Sequence, residues 1–331
     1  MSPPDLARLL QAFFVERMLR ERSASPNTVS AYRDTFRLLL NFAAERLKKP
    51  PSNLAIEDLD VPFVGEFLEH LETSRGNTAR TRNNRLAAIH SFFRYVALTE
   101  PAHALICQRV LALPTKRHER AVVEFLNREE SEALIAAPDS TSWIGRRDRA
   151  LLLVAVQTGL RVSELTGLCC RDVVLGTGAH VRCTGKGRKQ RSTPLRKETA
   201  SVLAAWMHER SGEPEDPLFP GVRGARLSRD AVERLVARHA TTACGSCPSL
   251  EGKALTPHVL RHTAAMDLLQ SGIDLSVIAL WLGHESVAST QAYLHADLKL
   301  KEKALARTAP LGTKPGRFRP DDALLAFLER L

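Results

Sequence analysis

Apolar residues recur at three- and four-residue steps along most of the chain, and that period predicts a mainly helical protein. Leu6, Leu9, Leu10, Phe13 and Phe14 start the first stripe. Ser25 and Pro26 supply an N-cap and a first-turn proline. The helix they open places Val29, Tyr32, Phe36, Leu39, Leu40 and Ala43 on one face, and Lys48-Lys49-Pro50-Pro51 closes it. A third helix is expected over Leu59–Leu71. A fourth runs over Thr78–Leu98, with Leu86, Ile89, Phe93 and Val96 inward. Tyr32, Phe36 and Phe93 read as core aromatics, not as base-stacking groups.

The helical pattern breaks at Cys107–Ala121. This stretch holds Pro114, Lys116, Arg117, His118 and Arg120 and reads as a basic linker suited to a phosphate backbone. A second domain is expected from Leu126, where Asn127 and Glu130 have capping-box spacing. Arg147–Thr158 is a strongly apolar helix closed by Gly159, followed by a short helix over Arg161–Leu168. Two strands, His180–Thr184 and Gln190–Leu195, flank Gly185-Lys186-Gly187-Arg188-Lys189 as a hairpin. Helical spacing returns from Thr199, with loops at 212–224 and 242–253. A charged helix over Asp297–Ala306, a Pro/Gly linker over Pro310–Pro320 and a small helix over Asp321–Leu331 follow. No repeat or low-complexity segment stands out. The boundaries expected are a helical domain over 1–105, a linker over 106–122, a mixed α/β domain over 123–309 and a tail over 310–331.

Composition bounds this picture. A chain of 331 residues is too long for one ordinary core and suits about two domains. The net charge of +10 divides as +5 in residues 1–120 and +5 in the remainder. Such a surplus points to a polyanion, nucleic acid or an anionic membrane, and charge alone does not separate them. No apolar run reaches membrane-spanning length, and Met1–Arg22 is charged throughout, without a signal-peptide core. A cytoplasmic protein is expected. Its six cysteines lack disulfide-framework spacing and should be free thiols. Cys244 and Cys247 form a lone CxxC with His239 nearby, readable as a metal or redox pair or as a loop with two thiols.

Charge also changes the reading of the fourth helix. From Arg75 to Thr99 the chain carries Arg75, Arg80, Arg82, Arg85 and Arg94, interleaved with Asn and Thr, and no acid. These side chains suit phosphate and base-edge contacts in a DNA groove. The alternative is a solvated face, for which a complete absence of acids is unusual.

The candidate chemistry lies in Thr256–Tyr293, which holds His258, Arg261, His262, His284 and Tyr293, and in Arg161 about a hundred residues earlier. Breaking a phosphodiester without metal needs a nucleophile, cations for the phosphorane and an acid for the leaving oxygen. Arg161 and Arg261 offer planar forks matched to phosphate oxygens. His258 and His284 offer proton carriers. Lys186 offers an ammonium acid on a tight hairpin, and Tyr293 a phenol that needs nearby cations or a base to attack. Singly, each has an ordinary explanation. Arg161 could cap a helix C-terminus, Lys186 could face solvent, and His262 could simply pack beside Arg261. No carboxylate cluster accompanies the histidines, which disfavours a metal nuclease.

The ordered set is Arg161 in TGLRVSEL, Lys186 in TGKGRK, His258, Arg261 and His262 in HVLRH, His284 in LGH, and Tyr293 nine residues on. It closely resembles the tyrosine recombinases, the lambda-integrase family, especially the Xer-like and mobile-element branch. The resemblance spans residues from about 5 to about 300. It implies a helical SAM-like core-binding domain joined to a mixed α/β catalytic domain, together a C-shaped DNA clamp. It also implies that Tyr293 attacks one strand to form a 3′-phosphotyrosyl link, with strand exchange through a Holliday junction. Neither metal nor ATP is required, because the phosphotyrosine keeps the bond energy. Arg161, Arg261, His258 and His284 map onto the phosphate and proton-handling set, Lys186 onto the general acid. Glu164 would orient Arg161, and His262 would support its neighbours. Expected DNA contacts are Arg75, Arg80, Arg82, Arg85, Lys116, Arg117, Arg188 and Lys189.

The partners implied are double-stranded DNA with specific recombination sites and further copies of the chain, a tetramer in the synaptic complex. A second, non-identical recombinase is the variant of that assembly; no membrane is involved. Leu324, Leu325, Phe327 and Leu328 form an apolar patch that either meets a neighbouring protomer or folds back. The long tail favours an element-borne integrase. Two other readings are topoisomerase IB-like relaxation and a non-cleaving DNA-binding relative. The helical N-terminal half disfavours the first, the intact catalytic set the second.

Overall fold

The computed structural model describes residues 5–117, 123–185, 190–284, 290, 291 and 293. The chain divides into two compact units, Met1–Arg120 and Ala121–Leu331.

The first unit is helical. Helix α1 (Asp5–Ala12) continues into a π-helix (Phe13–Glu21); α2 (Pro26–Leu47), α3 (Val61–Thr73), α4 (Ala79–Thr99) and α5 (Ala104–Leu111) follow. Side-chain caps set three starts: Ser25, Asp60 and Thr78 accept from the backbone N–H groups of Thr28, Phe63 and Thr81. Lys48 ends α2 in the left-handed region at φ 54°. The core gathers Phe13, Phe36, Phe92 and Phe93, with edge-on ring contacts such as Phe36–Phe92 at 5.2 Å. Phe36 and Phe93 are buried, and the half-buried Tyr32 stacks on Phe13 at 6.4 Å.

Two expectations change here. The third helix starts after the Asp60 cap; Leu59 lies in a preceding 3-10 turn (Ile56–Leu59). Turn and helix bury leucines on the same core, so leucine spacing ran across the boundary. Cys107 is not linker but a fully buried residue of α5. Eight residues of helix left too short an apolar period to stand out beside the basic stretch.

The second unit contains α6 (Arg128–Ala136), α7 (Trp143–Thr158), α8 (Val162–Gly167), α9 (Lys197–Arg210), α10 (Arg229–Cys244), α11 (Pro257–Gln270) and α12 (Leu275–Leu282). The Asn127–Glu130 capping box is formed in both directions. Helix α7 starts a turn earlier than expected, at the Ser142 cap. It is the central helix, packed against α6, α9 and α11. Between α8 and α9 lies an antiparallel sheet of β1 (Val173–Val174), β2 (His180–Thr184) and β3 (Gln190–Pro194), ordered β1-β2-β3, with Cys183 opposite Arg191. The two-residue β1 has too short a pattern to be read from sequence.

All six cysteines are free thiols. Cys247 lies 3.3 Å from Ser249 Oγ, and His239 is committed elsewhere, its Nε2 2.8 Å from the buried Asp148 carboxylate. Among the described residues no group of three or more His, Cys, Asp or Glu side chains is placed to hold a metal ion. No helix among them is long and apolar enough to cross a membrane.

Candidate active site

Two helix C-termini build the site. Helix α7 ends at Gly159 (φ +62°) and α12 at Gly283 (φ +64°), both left-handed turns that free the last carbonyls. Arg261, on α11 and only 3% exposed, donates to Gly159 O at 2.6 Å and Leu282 O at 2.7 Å. Arg161, at the N-cap of α8, donates to Gly283 O at 3.1 Å. Carbonyls at helix C-termini carry partial negative charge, so they hold guanidinium groups without neutralising them. Glycine is required at Gly159, where a Cβ would lie 2.6 Å from Leu282 Cδ2.

The buried Glu164 accepts from Arg161 Nη1 at 3.0 Å and from its backbone N–H at 2.8 Å. Both its oxygens also accept from Arg191, at 3.0 and 2.7 Å. Burial pushes this carboxyl up, but the Arg191 hydrogen bonds, the Arg161 N–H and the nearby cations outweigh it and hold it below its ordinary value. Sequence reading missed Arg191. It sits in a short strand among polar neighbours, and only the hairpin's packing against α8 and α12 brings it to Glu164.

Tyr293 is 3% exposed, with Oη 3.1 Å from His262 Nδ1. His258 packs on His262 with ring centroids 4.2 Å apart, and the His284 ring lies nearly parallel to Tyr293 at 6.3 Å. His284 Nδ1 lies 2.8 Å from Thr290 Oγ1. The second unit thus brings together Arg161, Glu164, His258, Arg261, His262, His284 and Tyr293. His262, expected to pack or to support its neighbours, faces the phenol directly. Lys186, Arg188 and Lys189 lie outside the described residues, as does the tail.

Burial and the neighbouring positive charge of Arg161 bring Arg261 down to about 10. Burial, then His258 and Arg261, depress His262 to about 4; burial, then Arg261 and Arg161, do the same to His284. Burial raises the Tyr293 phenol, and Arg261 and Arg161 pull against that rise. At rest His262 and His284 therefore hold neutral imidazoles and Tyr293 keeps its proton. Moving the phenol proton onto His262 is thus unfavourable at rest. An anion beside the arginines would raise both histidines.

Six of the eight expected DNA contacts are among the described residues, and they fall into two groups. Arg75, Arg80, Lys116 and Arg117 are exposed. Arg82 and Arg85 are less exposed and are bonded within the unit. Arg82 is 7% exposed and donates to Pro114 O at 3.1 Å, with Nε 3.9 Å from Glu72. Arg85 donates to Thr35 Oγ1 at 3.0 Å and Ala31 O. Both flank the buried stripe of α4, and their long stems carry the charge to nearby carbonyls. Asn83 and Lys116 exchange hydrogen bonds at 2.8 and 3.0 Å, fastening the start of the basic stretch to α4.

Residues 124–299 match the Phage integrase family, and residues 12–99 match the Phage integrase, N-terminal SAM-like domain. The chain is 56% identical over 327 residues to y4rC of Sinorhizobium fredii, an integrase/recombinase by name, covering 99% of this chain and 98% of that one. It is 31% identical to tyrosine recombinase XerD of Pseudomonas aeruginosa, over 94% of this chain and 99% of the relative. Among solved structures, the XerH site-specific recombinase bound to palindromic difH substrate, a post-cleavage complex, superposes with a TM-score of 0.70. The two are 25% identical, covering 86% of this chain and 81% of XerH.

Proposed function

The chain belongs to the phage integrase family of tyrosine recombinases, enzymes that break and rejoin DNA, and from that membership we propose that Tyr293 is the nucleophile of its site-specific recombination. One observation supports this assignment: the Tyr293 Oη lies 3.1 Å from His262, the neighbour of Arg261, and the phenol feels the positive charge of Arg261 and Arg161.

The phosphate of one DNA strand would take the place that the arginine forks leave open. Its charge raises His262 and His284, turning resting hydrogen-bond partners into proton carriers. Tyr293 Oη then bonds to phosphorus while its proton passes to the histidine set. The bond from phosphorus to the 5′ oxygen breaks, and that oxygen takes a proton from the general acid, the role proposed for Lys186. The guanidinium groups hold the phosphorane charge. Attack by a 5′-hydroxyl from a partner duplex reverses the step and frees the phenol. One phosphodiester is exchanged for one phosphotyrosine, so the balance requires no ATP. DNA is contacted in this reading by the exposed Arg75, Arg80, Lys116 and Arg117, and by Arg188 and Lys189. The palindromic substrate of XerH supports two copies per site and four in the exchanging assembly. In this reading the protein works where its DNA is, in the cytoplasm.

Covalent capture tests the assignment. The protein is incubated in EDTA with a pool of nicked duplexes carrying a randomised central segment, so that cleavage releases the short 5′ strand and traps the adduct. The wild type should yield protein–DNA adducts converging on one sequence, and Tyr293→Phe none. No adduct from the wild type, or adducts undiminished in Tyr293→Phe, would overturn it. Plasmid relaxation without strand exchange on the captured sequence would favour the topoisomerase-like reading.

A further inference from the structure

We propose that Arg191 is a positioning residue of this site: it absorbs the charge of Glu164, so that Arg161 keeps its own charge for an anion. The inference rests on the phosphate-site reading above but not on the identity of the nucleophile.

Among the described residues three guanidinium groups, Arg161, Arg191 and Arg261, surround one carboxylate, Glu164. Arg261 donates to carbonyls rather than to a carboxylate. If Glu164 faced Arg161 alone, the two would form a neutral pair and the anion site would lose half its cationic partners. Instead Glu164 meets the fork of Arg191 with both oxygens. That bidentate geometry is the stronger mode of guanidinium–carboxylate pairing. Arg161 offers Glu164 a single Nη and the backbone N–H, and its other Nη turns to Gly283 O. The exposures agree. The Arg191 and Glu164 side chains are 13% and 3% exposed, whereas Arg161 is 33% exposed and open to a ligand.

Arg191 also fixes where this charge sits. Its Nε donates to Trp281 O at 3.1 Å, near the end of α12. A Cβ on Gly283 would lie 2.7 Å from its Nη1, so the guanidinium fills the space against the residue whose carbonyl holds Arg161. Arg191 stands two positions beyond Lys189, in the second β2–β3 pair from the connection that carries Lys186. One side chain therefore joins the β3 strand, Glu164 and the α12 C-terminus.

The test uses inorganic phosphate as the probe, titrated calorimetrically into full-length wild type, Arg191→Gln, Arg191→Lys, Glu164→Gln with Arg191→Gln, and Arg161→Ala. The binding heat lost in Arg161→Ala defines the site. Arg191→Gln should weaken that binding at least tenfold. The double variant, with both charges removed, should return to within about threefold of wild type. Arg191→Lys, which keeps the charge without the fork, should fall between. Rescue by a second substitution distinguishes a charge role from a packing role, because a lost contact is not restored by removing its partner. Wild-type phosphate binding in folded Arg191→Gln, or a double variant no better than the single, would overturn the inference. So would phosphate heat unchanged in Arg161→Ala. The nucleophile assignment is judged separately by covalent capture, so phosphate binding as expected without adducts would sink that assignment and leave Arg191 standing.

Discussion

His262 and His284 are held neutral by burial and by the arginines around them, with values near 4. In the unfolded chain both take up protons from about pH 6.5 downward. Between those limits the unfolded state binds more protons, so the contribution is complete above about pH 6.5 and is lost as pH falls towards 4. Both rings are part-exposed, and solvent screening reduces the effect to about 1–2 kcal/mol for the pair. Urea unfolding at pH 7 and pH 5 should show a midpoint drop that shrinks when both histidines are Gln. An undiminished drop would assign the pH dependence to other groups.

At the scale of elements, the site depends on where two helices stop. Gly159 and Gly283 allow left-handed turns, and the carbonyls so exposed hold Arg261 and Arg161. Gly159→Ala adds backbone strain and a 2.6 Å approach to Leu282 Cδ2. The cost should be about 2–4 kcal/mol, with loss of covalent capture as Arg261 shifts. Gly176→Ala is the control: φ is +91° but nothing lies within 4 Å, so only backbone strain of about 1 kcal/mol applies. Thermal melts of the two variants compare them directly, and equal losses would show that the Leu282 contact is immaterial. Arg191 belongs to this scale too, because a strand, a helix start and a helix end meet on it.

At the scale of the molecule, the first unit has its own core, from Leu6 to Val110. Residues 1–120 alone should therefore melt cooperatively as a helical domain and bind duplex DNA weakly. Within that fragment the arginines of α4 should separate. Arg80→Ala should leave melting unchanged and reduce the slope of log affinity against log salt by about 1. Arg82→Ala should lower the melting temperature, because a buried guanidinium tied to Pro114 O and facing Glu72 is lost. A lower melting temperature for Arg80→Ala and none for Arg82→Ala would reverse this division of roles.

Much of this protein was legible in its sequence, for identifiable reasons. Ser25, Thr78 and Asn127 mark helix starts because a cap is a local interaction, complete within three residues. Hydrophobic period marks the long helices because burial repeats with every turn. The candidate set from Arg161 to Tyr293 could be picked out because phosphate chemistry calls for particular side-chain types, and its described members lie together in the second unit. Tertiary structure decided what depends on long-range contact. Arg82 and Arg85 looked like free DNA contacts and are bonded within their own unit, since a long stem lets the charge choose a partner thirty or fifty residues away. Cys107 moved from linker to core because α5 packs against α4. Arg191 had no local signal at all. Its partners Glu164 and Trp281 lie 27 residues before it and 90 after. Only the folded unit brings them within hydrogen-bonding distance, and only there does the charge balance of the site become visible.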